Sequence, residues 1–359
     1  MENVRSPEAV ELPRTSFSVQ EAKRIVDDLF VANPWIYWAD FLATTAVAYG
    51  FSALYLTAPD FTWEHAITFV IAGLALFRAG VFIHEIVHMP KGRMTAFKAV
   101  WNVVYGGPML TPSFMYKNHS DHHSWRSYGT ARDGEYLPMG APGSSRKILG
   151  YLAQVPLLPA FAILRFLVLG PVSLPVPRLR RWVLERASSY VCNPGYRREL
   201  PANEKRGTWV IMELLCFLSL ATVFGLTIVG MIPWVTIVEF YLLGTYAAGL
   251  NWIRNLVAHR YTNTGDQMTY VEQLTDSINI PGHPVLTELL FPVGLRYHAL
   301  HHLFPALPYH ALGKAHRRLM AQLPADSPYR ATVRAGFLAA LAELLRNAGT
   351  AARGTGATA

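Results

Sequence analysis

The chain has 359 residues, a formal net charge of +8, 52% hydrophobic residues and only 16% charged ones, where soluble proteins average about 25% charged. With just two cysteines, Cys192 and Cys216, there is no disulfide framework and no Cys/His zinc module. The apolar excess points to lipid, and positive charge spread beside apolar runs argues against a nucleic-acid partner.

Residues 1–37 read as an N-terminal interfacial segment. The first 30 residues lack the apolar core of a signal peptide. Ser18 with Glu21 forms a capping box. Val19, Ile25, Val26, Leu29 and Phe30 give the helix that follows an apolar stripe. The main unit spans 38–325. Four runs in it are long enough for the hydrocarbon core, which needs about 20 residues: Asp40–Thr57, Ala66–Ile83, Trp209–Gly230 and Ile232–Asn251. The loops beginning Ala58-Pro59-Asp60 and Gly230-Met231 hold no Lys or Arg, so the runs pair as two hairpins. Basic residues gather at their other ends: Lys91, Arg93, Lys98, Arg254, Arg260 and the loop from Arg178 to Arg206. The positive-inside rule places those ends in the cytoplasm. Ile148–Gly170 is also apolar but holds Gln154, Pro156, Pro159 and Arg165, which suits a surface or re-entrant segment. Ala311–Leu323 and Arg330–Arg346 read as helices, with 326–346 as a C-terminal helical unit and 347–359 as a disordered tail.

Arg78, Glu213 and Glu239 lie inside apolar runs. Arg78 can snorkel to the cytoplasmic side, Glu213 is near that end, and Glu239 is expected to face another helix; none is assigned to chemistry.

Three histidine patterns carry the functional signal: His84-Glu-Ile-Val-His88, His119-Ser-Asp-His122-His123 and His298-Ala-Leu-His301-His302. On a helix, positions i, i+3 and i+4 share a face, so each pattern offers nitrogen ligands to one side. Neutral imidazole is the commonest protein ligand for transition metals. Eight imidazoles exceed the needs of one ion, so two metals are expected. All three clusters fall on the cytoplasmic face if 148–170 does not cross.

The three boxes in this order, with two hairpins of spans around them, resemble the membrane fatty acid desaturase superfamily over roughly residues 40 to 320. A further match is Asn255-Leu-Val-Ala-His259. It is similar to a stearoyl-CoA desaturase motif in which the histidine is a ninth ligand and the asparagine reaches the metal through water. The resemblance implies an all-α integral membrane fold, with four transmembrane helices and a cytosolic helical cap around two iron ions, and O2 as co-substrate. The implied metal set is His84, His88, His119, His122, His123, His259, His298, His301 and His302, with Asn255 through water. The chain has no His-Pro-Gly-Gly haem motif, so a separate electron donor is implied, a ferredoxin or a small cytochrome with its reductase.

Abstracting hydrogen from an unactivated methylene is beyond any side-chain acid or base, which is why a metal and O2 are needed. Carboxylates should accept the second ring N–H of the ligands; Asp121, Glu85, Asp133, Glu135 and Asp276 are candidates. His65, His283, His310 and His316 stay outside the metal set. Trp101, Tyr105, Phe114, Tyr116, Trp125, Tyr128 and Tyr297 are aromatics that could line a lipid groove.

The expected activity is introduction of a double bond into a fatty acyl chain. The alternative is a hydroxylase or ketolase of a lipid, hydrocarbon or carotenoid, which shares the first hydrogen abstraction. A metal transporter is the remote alternative, because transporters hold ligands at the bilayer midplane and these boxes lie beyond the span ends.

Overall fold

A computed structural model describes residues 17–139, 144–193, 195–202, 204 and 206–353. No strand occurs among them; they form helices α1 (Val19–Val26), α2 (Pro34–Thr57), α3 (Trp63–His88), α4 (Thr95–Trp101), α5 (His119–His122), α6 (Ser144–Ala153), α7 (Leu158–Ile163), α8 (Gly170–Ser173), α9 (Pro177–Arg186), α10 (Gly207–Ile228), α11 (Trp234–Leu256), α12 (Tyr270–Asp276), α13 (Pro284–Leu290), α14 (His298–Leu303), α15 (Tyr309–Gln322), α16 (Pro328–Ala331) and α17 (Phe337–Arg353).

Helices α2 and α3 are antiparallel. Tyr37 Oη donates to Glu85 at 2.5 Å and Arg78 pairs with Asp40 at 2.8 Å, while at the other end Tyr55 stacks on His65 with centroids 4.4 Å apart. Asn33 caps α2 through its side-chain oxygen and Pro34 opens it with a preset φ; Thr62 caps α3. Helix α11 crosses α3 at Gly73, where a Cβ would stand 2.0 Å from the Tyr246 ring; glycine there lets the ring lie against the α3 backbone.

The second expected hairpin is opened out. Helices α10 and α11 follow each other through a turn at Gly230, whose φ of +77° suits glycine. Helix α10 packs on 164–169 and 102–106, and α11 packs on α3 and on 144–163. The segment expected at the membrane surface therefore fills the space beside both helices. By length and composition three helical segments could cross a membrane: Trp63–His88, Arg146–Ser173 and Gly207–Ile228. Helices α2 and α11, with 24 and 23 residues, have span length but carry more polar residues, among them Asp40, Glu239, Asn251 and Arg254.

The run 146–173 is not a regular helix. Pro156 and Pro159 lack the N–H that an α-helix interior uses; a 3-10 turn covers Val155–Leu157 and a π turn covers Leu164–Leu169. Tyr151 stacks on Trp252, and Val155 and Pro159 lie against Gly249 and Gly244. Arg165 then donates to the Ala187 carbonyl at 2.9 Å and pairs with Glu213. The run thus passes along α11 and then meets the start of α10 through Arg165.

The three charges inside apolar runs all have partners: Arg78 with Asp40, Glu213 with Arg165 and Arg180, and Glu239 with His65 on α3 at 3.7 Å. At the C-terminus the structure corrects the sequence reading. Helix α17 continues through 347–353, which had been assigned to a disordered tail, because Leu344 and Ala348 bury against α6 and Arg260 pairs with Glu343. Residues 1–16 and 354–359 lie outside the described residues.

Candidate metal centre

Three helices and the segment after α11 deliver the histidines. His84 and His88 occupy the last turn of α3. His119 and His122 form the single turn α5, with His123 as its C-cap. His298, His301 and His302 lie on α14. His259 follows α11, and antiparallel bridges from His259 to Ser277 and from Asn279 to Tyr297 set it against the start of α14. The result is a 2.9 Å approach of His259 Nε2 to His298 Nε2.

All nine histidines converge, in two groups. The first is His84, His88, His119, His123 and His301; the second is His122, His259, His298 and His302. Each H-x-x-H-H box is therefore split rather than facing one side. Helix geometry explains this. At 3.6 residues per turn, i+4 lies about 40° from i, whereas i+3 lies about 60° to the other side. The i and i+4 members share a group, and the i+3 member, His122 or His301, crosses to the other.

The spacing fits metal ligands. Within the first group His119–His123, His88–His301 and His123–His301 have Nε2 atoms 3.0, 3.1 and 3.1 Å apart; within the second, His122–His259, His259–His298 and His298–His302 are 3.2, 2.9 and 3.1 Å apart. Nitrogens bonded at about 2.1 Å and at right angles around one ion stand about 3 Å from each other.

The protonation pattern argues the same way. His119 Nδ1 faces Glu135 at 2.9 Å and His122 Nδ1 faces Asp133 at 2.8 Å. His259 Nδ1 meets Tyr128 Oη at 2.9 Å, and that hydroxyl donates to Asp276 at 2.8 Å. A ring that gives its Nδ1 hydrogen to these acceptors keeps a lone pair on Nε2. With both rings neutral, the Nε2 atoms of His122 and His259 turn lone pairs toward each other, an approach that a cation or an added proton between them makes favourable. Both nitrogens of His84 are buried without a hydrogen-bond partner, a costly state that a metal bond relieves.

Charge balance agrees. Burial holds the His119, His123, His259, His298, His301 and His302 imidazoles well below their ordinary range, so they are neutral donors. Burial lowers His122 too, but the Asp133 charge and hydrogen bond outweigh it and the net shift is upward. Burial pushes the Glu135 carboxyl up to about 7 and raises Asp276. Among the described residues no Lys or Arg lies within ion-pair distance of Asp133, Glu135 or Asp276. Metal cations would supply the missing positive charge.

Of the five carboxylates singled out, three support the site in this way. Glu85 turns instead to Tyr37 and the Tyr309 N–H, and Asp121 accepts from Tyr196. Asn255 directs its amide nitrogen at Tyr151 Oη and Cys192 Sγ, 3.3 Å from each.

A cleft of about 580 Å3 opens onto this centre between Trp125 and the 267–274 segment, with His123 and His302 in its wall. Each of those two belongs to a different nitrogen group.

The sequence profile of fatty acid desaturases matches residues 61–333, which include all nine histidines. The chain belongs to the fatty acid desaturase family. The ceramide hydroxylase of Caulobacter vibrioides (strain NA1000 / CB15N) is 39% identical to it over 329 residues, covering 91% of this chain and 93% of that protein. No solved structure matches the chain. As a member of the desaturase family it is a membrane oxidoreductase acting on lipid, and its histidine clusters suit a metal site.

The other four histidines stand apart from this cluster. His65 stacks on Tyr55, His283 precedes α13 in a left-handed conformation, His310 accepts from the Asn33 N–H, and His316 bonds Tyr329. Of the seven aromatics considered for a lipid groove, Trp125 alone lines the cleft. Tyr116 and Tyr128 hold carboxylates of the centre, Trp101 and Tyr105 bond α3 carbonyls, Phe114 stacks on Trp209 and Tyr297 packs on His316. The cleft residues Gln267, Thr269 and Gln273 were missed; the one available signal was the Thr269–Glu272 capping box, which places the start of α12.

Proposed function

We propose that this protein is an O2-dependent di-iron enzyme that hydroxylates a ceramide-like lipid at an unactivated C–H bond. The observation that carries the reading is the pair of imidazole groups, five and four strong, in a chain 39% identical to a ceramide hydroxylase. Iron bound by these histidines would supply the oxidation of the C–H bond with O2, chemistry that side chains alone lack. Imidazole suits iron. Glu135, Asp133 and the Tyr128–Asp276 pair hold three of the rings by their Nδ1 atoms and so aim the Nε2 lone pairs. Asn255 is proposed to act on the metal through water.

Introduction of a double bond is the second reading, favoured by the fatty acid desaturase profile. It needs the same first abstraction and the same residues. Electrons come from a separate donor, a ferredoxin or a small cytochrome with its reductase.

Helices α2, α3, α10 and α11 form the membrane stem in this reading, with the metal centre on the cytoplasmic side. The support is that the chain ends nearest the histidines carry Lys91, Arg93, Arg254, Arg260 and the 178–206 basic loop.

The test is mass spectrometry of the lipids of an expressing host. Wild type should add one oxygen to a ceramide, and His301→Ala should abolish that product while the protein still inserts and folds. A product two hydrogens lighter would select desaturation, and unchanged lipids with wild type would overturn the proposal.

A further inference from the structure

The cleft at the metal centre has a polar wall. Gln273 lies in it and is 8% exposed. Its Nε2 donates to the Trp125 carbonyl at 3.1 Å and to the Met268 carbonyl at 3.0 Å. Two carbonyl acceptors fix which end of the amide is nitrogen, because the oxygen cannot donate to either. Both N–H groups are therefore spent. No donor among the described residues reaches Gln273 Oε1, which remains an acceptor held in one orientation. The helix that holds it is itself braced: Thr269 and Glu272 form a reciprocal capping box at the start of α12.

The same space of about 580 Å3 contains His123 and His302. A ligand group bonded to Gln273 therefore lies in the same cleft as the two histidines, where a carbon of that ligand can meet the metal centre. A long apolar groove would be the design for oxidising the middle of an acyl chain. A compact cleft with an oriented acceptor instead suits a substrate whose hydroxyl or amide N–H lies near the carbon that reacts. Trp125 and Tyr270 are 56% and 40% exposed at its edge and offer aromatic surface to the lipid's apolar part.

We propose that Gln273 is a specificity-determining residue that accepts a hydrogen bond from a hydroxyl or amide N–H of the lipid headgroup, so that oxidation falls within a few carbons of that group. This rests on the reading of the protein as a lipid C–H oxidase. It adds a recognition residue and a restriction on position that the metal ligands do not supply.

The experiment pairs protein and substrate changes. Full-length iron-loaded protein in detergent is given ceramide, N-methyl ceramide and the two O-methyl ceramides, and both dissociation constants and product are measured. In wild type, one of the methylated lipids should bind about 10-fold more weakly, as expected for a lost hydrogen bond to an oriented acceptor. In Gln273→Met the same pair should differ by less than about twofold. Wild-type indifference to every methylation, or a preference that survives unchanged in Gln273→Met, would overturn the role of Gln273. So would a product oxidised in the middle of the acyl chain. Binding is read apart from turnover: discrimination without oxidation would remove the proposed reaction and keep the recognition, and oxidation without discrimination would do the reverse.

Discussion

The rings of His123 and His302 lie stacked, with centroids 4.2 Å apart and planes inclined by 21°, although each belongs to a different nitrogen group. The two groups thus share a seam, and the cleft opens along it. The two halves of the site are unequal in a measurable way: one side has five nitrogens and the other four.

Metal content should reflect the inequality. Wild-type protein is expected to hold two irons per chain. His298→Ala takes a donor from the four-nitrogen group and should lower iron toward one, whereas His88→Ala leaves four donors in its group and should stay closer to two. Elemental analysis of purified protein checks this; the opposite ranking would contradict the division.

Tyr128→Phe removes the hydroxyl that links His259 Nδ1 to Asp276 and changes little else in volume. Loss of such a support typically costs 10–100-fold in metal affinity. Iron retention against a chelator should fall by about 10-fold or more, with helix content by circular dichroism unchanged.

Glu213 is 7% exposed and holds Arg165 and Arg180 together. Glu213→Gln leaves two guanidinium groups without their counter-charge, and removing one partner of a buried pair costs about 3–5 kcal/mol. The thermal midpoint in detergent should drop clearly. Arg181→Ala, which alters a side chain 74% exposed, should leave it nearly unchanged.

His316 gives a pH dependence separate from the metal. Burial, with Arg296 and Arg317 nearby, lowers its imidazole to about 4, against an ordinary value near 6.5. Between these values the unfolded chain binds the proton and the folded one does not. Its contribution is therefore present above pH 6.5 and lost as pH falls toward 4. Stability of the wild type should decline over that window, and His316→Gln should flatten the decline. An identical slope in both proteins would exclude His316 as its source.

Much of the centre was legible before the fold was known. The eight box histidines and His259 were named from spacing and resemblance, and all nine meet. Ser18, read as the cap of the first helix, accepts from the Glu21 N–H. What spacing could not tell was which histidine goes with which. A separation of three or four residues reads as one face until the neighbouring helices show that the face has two sides. The same limit applied to the carboxylates. Asp121 sits within the second box yet bonds Tyr196, while Glu135, sixteen residues from His119, supports it.

Local chemistry determined the helical class, the apolar runs and the three histidine boxes, because periodicity, capping and residue spacing act over a few residues. Tertiary structure alone decided the five-and-four division, the packing of the 146–173 run beside α10 and α11, and the oriented Gln273 oxygen in the cleft. Each depends on atoms distant in the chain meeting in three dimensions: His122 with His259, Arg165 with Glu213, Gln273 with the Trp125 carbonyl. Such contacts follow from how the helices pack around small residues such as Gly73, and no window of neighbouring residues contains them.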